Sequence, residues 1–139
     1  MAKHHETFDH TADIGLKVFG RNPADLFSNA GYALFDIITD ISKVSPREKR
    51  GYSLERDCQE ELLVEWMGNL LYTFDTELLV FSRFNIIKIN DTSLEAEAEG
   101  RFLNEQILSI ETAVKAVTYH NLSITEQNGI WEATVILDI

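Results

Sequence analysis

The stretch "VKAVTYHNLSITEQNGIWEATVILDI", residues 114–139, decides the fold. Asn128-Gly129 is a strong signal for a two-residue type I′ turn, because both central positions of that turn need a positive φ. The flanking segments therefore read as two antiparallel strands. The turn also sets a register. With Gln127 opposite Ile130, Tyr119 falls across from Asp138 and His120 across from Leu137. Alternation then places His120 on the face of Leu122 and Ile124, against Trp131, Val135 and Leu137. That placement predicts a hydrogen-bonded, half-buried histidine rather than a metal ligand. Asp138 points the other way, with Ile136 and Thr134, near the open end of the hairpin. Lys115 is expected on that same face, beyond the end of the partner strand.

Before the hairpin, "SLEAEAEGRF" and "FSRFNIIKIN" read as strands joined by the turn-forming Asn90-Asp91. Residues 94–98 alternate acidic with small or apolar side chains, as a strand with one wet face should. Two helices lie further upstream. In the first, Asn22 can cap, Pro23 suits the first helical position and Asp25 sits near the positive end of the dipole. Leu26, Phe27, Ala30, Leu34, Ile37 and Ile38 follow on one stripe. In the second, Asp57 is expected to cap, and Leu62, Leu63, Trp66, Met67, Leu70, Leu71 and Phe74 keep the helical rhythm of a core face. Between them, "KVSPREKR" reads as a mobile polar connection and "GYSLER" as a short strand. A further strand begins in "FDHTADIGLKVFG", residues 8–20, where two aspartates and a histidine crowd its entrance.

These elements predict one α+β domain over residues 1–139, a mixed, mainly antiparallel sheet packed against two amphipathic helices. Composition agrees, with 45% hydrophobic and 25% charged residues in a chain long enough for one real core. No apolar run approaches the roughly 20 residues that cross a bilayer, and "MAKHHETFDH" lacks the apolar core of a signal peptide. The lone Cys58 excludes an internal disulfide framework and suits a cytoplasmic location. A net charge of −11, from 12 basic and 23 acidic residues, argues against direct nucleic-acid binding, which rests on neutralising phosphates. It favours a cation or a basic protein as partner.

The chemistry-bearing residues narrow the choice. Histidines 4, 5, 10 and 120 with Cys58 have no zinc-type spacing, and His4-His5 reads as a flexible surface pair. Hard oxygen ligands are plentiful: Asp9, Asp13, Asp138 and the terminal carboxylate of Ile139 suit Ca²⁺, Mg²⁺ or Mn²⁺. Each also reads as a solvated acid, and nothing local joins Asp13 to Asp138. No nucleophile elbow, P-loop or G-x-G-x-x-G is present, and no base is placed beside Cys58, so the chain does not read as an enzyme.

The chain resembles the archease family along nearly its whole length. The resemblance rests on "DHTADIGLKVFG", a helix ending "ALFDIITD", "LLVEWMGNLLYTFDTE", "VKAVTYH" and a final "VILDI", five motifs in order. It implies an α+β activator of the RtcB-type tRNA ligase, helping the ligase guanylylate its histidine and perform many turnovers in tRNA splicing. It further implies a divalent metal, calcium first, held by Asp13, Asp138 and Ile139, and a role in activation for Lys115. A monomer acting on a protein partner is expected. Asp9 and Asp40 can be ligands or ordinary acids, Glu77 a partner contact or a surface residue, and "REKR" a contact to RNA or to nothing. Two rival readings are a metal-dependent hydrolase and a chaperone or modulator of an RNA-modifying enzyme such as a tRNA methyltransferase.

Overall fold

The elements run β1 (His5–His10), β2 (Asp13–Gly20), α1 (Pro23–Ile38), β3 (Glu48–Glu55), α2 (Gln59–Glu77), β4 (Leu79–Ile89), β5 (Ser93–Phe102), β6 (Ala116–Gln127) and β7 (Ile130–Asp138). The structure, a computed structural model, describes residues 4–10, 13–105 and 108–139, with the backbone alone for Asp9 and His10.

Helix α1 starts as its sequence dictates: Asn22 is extended and its side-chain oxygen accepts from the Asp25 N–H at 2.8 Å. Leu26, Phe27, Ala30 and Leu34 are fully buried, as the apolar stripe requires. Helix α2 begins one residue later than Asp57 would have it. Cys58 is the cap residue and makes no side-chain capping bond; its thiol instead points to the Glu61 carboxylate at 3.6 Å. The buried stripe from Leu62 to Leu71 sets the phase of this helix, and a capping bond was not needed to fix it. At its far end Leu78 turns left-handed (φ 57°) and its N–H still reaches Phe74 O at 2.8 Å. The helices are tied to each other where the Trp66 indole N–H donates to Phe27 O at 2.9 Å.

The strands form two sheets, ordered β1-β2-β7-β6 and β3-β5-β4, and every described ladder is antiparallel. Each helix touches strands of both sheets, so one core of buried side chains runs through the molecule. Alternation is clean where the sequence is clean. Leu94, Ala96 and Ala98 of β5 face inward while Glu95 is exposed. Asn90 closes the β4–β5 turn by accepting from the N–H groups of Thr92 and Ser93. Two boundaries differ from the sequence reading. Strand β3 already includes Glu48, Lys49 and Arg50, and β1 is a strand where only charged residues had been noted.

The final hairpin turns at Asn128 and Gly129, both with positive φ. Its register runs as expected from Gln127↔Ile130 to Ser123↔Thr134, then shifts by three residues. Beyond the bulge Thr118 pairs Ile136, Val117 pairs Leu137 and Ala116 pairs Asp138. Asn121, with φ 52°, sits inside it, a left-handed position that asparagine tolerates better than most residues. Tyr119 is therefore not opposite Asp138, and His120 is not on the core face. His120 is exposed, its N–H reaching the Thr118 hydroxyl at 3.3 Å. A three-residue slip reverses the face assignment of everything before it.

Candidate functional site

Strand β2 enters the first sheet at Asp13 and strand β7 leaves it at Asp138, and the ladder between them makes these two residues direct partners. Directly opposed side chains in an antiparallel pair have Cβ atoms about 5 Å apart. On β2, Leu16 and Val18 are fully buried, so Asp13, Gly15 and Lys17 take the other face. On β7, Ala133, Val135 and Leu137 are fully buried, so Asp138 also lies on that outer face. Both aspartates are half-buried, and Ile139, 38% exposed, follows at once.

The β6 bulge brings the third element in. Without the slip, Lys115 would overhang the end of β7; with it, the Lys115 N–H donates to Asp138 O at 2.8 Å. Ala116, not Tyr119, is the residue paired with Asp138, so Lys115 stands one residue before the strand and does not share the face of Asp138 by alternation. The side chain of Lys115 is exposed. One sheet end thus gathers Asp13, Asp138, Ile139 and Lys115, residues separated by up to 126 positions in the chain.

The donor set fits a hard cation. Two opposed carboxylates are oxygen ligands of the kind Ca²⁺, Mg²⁺ and Mn²⁺ take. Among the described residues no three His, Cys, Asp or Glu side chains are grouped to hold a metal. A cation held by Asp13 and Asp138 would thus draw further oxygen ligands from the neighbouring main chain or from water.

Other candidates have local partners. Asp40 caps the turn at Ile41–Lys43, accepting from the Ser42 N–H at 3.2 Å and the Ser42 hydroxyl at 2.5 Å, and these bonds hold its carboxyl below the usual range. Glu77 is gripped by Arg50, whose Nη2 lies 2.6 Å from it, and this holds its carboxyl low as well. Lys49 pairs with Glu97 at 3.1 Å, so two of the four residues of "REKR" are engaged by acids of the chain itself. The Asp9 side chain, and Thr11 and Ala12 of the "DHTAD" motif, lie outside the described residues. The sequence reading missed the packing of Phe8 over Gly15, where an added Cβ would run into the Phe8 ring. Beside them Ile136 is 1% exposed although it lies on the outer face. The signal was the unexplained glycine in a strand.

The described geometry and the sequence motifs meet in the comparisons with known proteins. The model of the Archease protein family matches residues 5–139. The chain belongs to the archease family. It is 38% identical to the protein archease of Sulfurisphaera tokodaii, over 96% of this chain and 97% of that one. Its fold is similar to the solution structure of Methanobacterium thermoautotrophicum protein 1598, with a TM-score of 0.82, 34% identity, and coverage of 98% and 99% of the two chains. The crystal structure of a Thermotoga maritima archease, described as a possible chaperone, shares the fold at 18% identity, with a TM-score of 0.66 and 96% of each chain covered. Among the described residues no helix is long and apolar enough to cross a membrane.

Proposed function

We propose that this archease-family chain is a non-enzymatic activator of an RtcB-type RNA ligase in tRNA splicing, working in the cytoplasm through the sheet end that carries Asp13, Asp138, Ile139 and Lys115. The observation that supports this reading most is the direct pairing of Asp13 with Asp138, next to Ile139. Asp13, Asp138 and Ile139 would hold a divalent cation, calcium first, with magnesium or manganese as alternatives. When bound, such an ion supplies a hard positive centre able to share oxygen ligands with a partner. The chain's own residues do the rest. The acidic surface, with its net charge of −11, favours approach to a basic protein cleft and disfavours bare RNA. The Lys115 backbone is fixed to Asp138, so its ammonium is carried at the same end for an acidic group of the ligase. Activation then requires that this end bind the guanylylation-competent conformer of the ligase better than the stalled one.

The test is ligation of RNA in large excess by a cognate ligase, with catalytic amounts of this chain bearing an untagged C-terminus. The reading expects single turnover to become multiple, and expects the gain to vanish in Asp13→Ala and Asp138→Ala while both variants stay folded. Full stimulation by either folded variant would sink the carboxylate site. No stimulation with any divalent metal would shift the reading to a chaperone or modulator of a tRNA-modifying enzyme such as a methyltransferase.

A further inference from the structure

A second cluster lies away from the carboxylate end. His5 opens β1 opposite Val18, five residues along β2 from Asp13, about 16 Å at strand spacing. Its Nε2 is 3.2 Å from the Asp36 carboxylate on α1, and its Nδ1 is 2.8 Å from Nδ1 of His4. The two ring centroids are 4.6 Å apart, and Tyr32 stands edge-on to His4 at 5.1 Å. His4 is fixed from behind, its carbonyl accepting from the Phe19 N–H at 2.8 Å. The expectation of a flexible surface pair is therefore corrected: both histidines are half-buried and each is held by named neighbours.

Two ring nitrogens at this separation are either a hydrogen bond or a pair of metal ligands. An in-line nitrogen–nitrogen hydrogen bond puts imidazole centroids about 5.1 Å apart. Two imidazoles bound at right angles to one metal, with metal–nitrogen distances of about 2.0–2.1 Å, put the nitrogens about 2.9 Å and the centroids about 4.5 Å apart. The observed distances, 2.8 and 4.6 Å, are those of a bent hydrogen bond between the two rings and are also close to those of the ligand pair.

We propose that His4 and His5 form a two-imidazole site for a borderline divalent transition-metal cation, Cu²⁺ or Ni²⁺ before Zn²⁺, with Asp36 as a positioning residue. Neutral imidazole is the ligand form of histidine. Asp36 takes the far nitrogen of His5, the arrangement by which a carboxylate orients a ligating ring and raises its basicity. His4 also borders an open cavity of about 570 Å³ with Glu6, Asp25 and Asn29 on its wall. Water or a small ligand therefore has room to approach His4 from that side. It stands independently of the oxygen site at Asp13 and Asp138, because imidazole and carboxylate sets select different cations.

The experiment titrates CuCl₂ and NiCl₂ into the full chain, free of a polyhistidine tag and with its amino terminus acetylated so that the terminal amine cannot bind. The expected result is one Cu²⁺ per chain with an electron paramagnetic resonance spectrum showing two imidazole nitrogens. His4→Gln and His5→Gln, which keep side-chain bulk, should each weaken binding more than ten-fold with unchanged circular dichroism. Asp36→Asn should weaken it about ten- to hundred-fold while both nitrogens remain in the spectrum. Asp13→Ala should leave it untouched. Binding that survives His5→Gln, that shows no imidazole nitrogen, or that disappears with Asp13→Ala would overturn the site, as would no binding at all.

Discussion

Asp13 and Asp138 are direct partners across the β2–β7 ladder, two like charges where a sheet usually sets neutral or opposite ones. A divalent cation bound there should stabilise the folded chain and not the unfolded one. At a hundred times its dissociation constant the gain is about 2.7 kcal/mol. Thermal unfolding with and without CaCl₂ should show a higher Tm for the wild-type chain and no increment for Asp13→Asn or Asp138→Asn. Equal increments in all three would remove the cation from this site.

Three glycines separate space from conformation. A Cβ at Gly100 would strike the Val80 backbone, which cannot move aside, so Gly100→Ala should cost more than about 2 kcal/mol. At Gly15 the obstacle is the Phe8 ring, a side chain that can swing, and the loss should be nearer 1 kcal/mol. Nothing lies within 4 Å of a Cβ at Gly51, so Gly51→Ala should be neutral or stabilising. Urea unfolding of the three variants gives this order directly.

The Arg50–Glu77 pair makes a pH prediction. Arg50 holds the Glu77 carboxyl below its usual 4.5, so the pair's contribution is complete above that value. It is lost as pH falls through the lowered folded value, when the carboxylate is protonated. Glu77→Gln should therefore lower Tm slightly at pH 7, and the gap should close as the pH falls through the lowered folded value. A gap that persists at low pH would assign the effect to packing instead.

Asn121 is left-handed inside the β6 bulge. Asn121→Gly should be tolerated, whereas Asn121→Val should cost about 1–2 kcal/mol, since branched side chains resist that conformation. Because the bulge places Lys115 beside Asp138, the same variant should also lower ligase stimulation if the proposed function holds. Tm and ligation assayed on both variants check the two halves of this expectation.

Local physics was legible in the sequence. Asn128-Gly129 forms the expected turn, Asn22 caps α1, and the stripes of both helices are the ones buried. What failed depended on contacts distant in sequence. The hairpin register could be followed from the turn only until the bulge, because extra residues in an edge strand leave no periodic trace. That one slip misplaced His120 and Tyr119. The cap position expected for Asp57 is occupied by Cys58, without a capping bond, since core packing outweighs such a bond in setting where α2 begins. The two aspartates were both noticed, yet their partnership is a property of the β2–β7 pairing, which no local pattern encodes. For His4 and His5 the missing piece was Asp36, a helix residue 31 positions beyond His5.

Strand β7 lies between β2 and β6 in the middle of its sheet, although it follows β2 by more than a hundred residues. A nascent chain can form the β1–β2 hairpin and both helices early, but β2 must keep one edge open until β7 emerges more than a hundred residues later. Closing so long a loop is slow, and an unpaired edge is a template for wrong partners. Folding of the first sheet is thus complete only once β7 has paired with β2. The same late event brings Asp138 to Asp13, so a partly synthesised chain cannot engage a partner through that end.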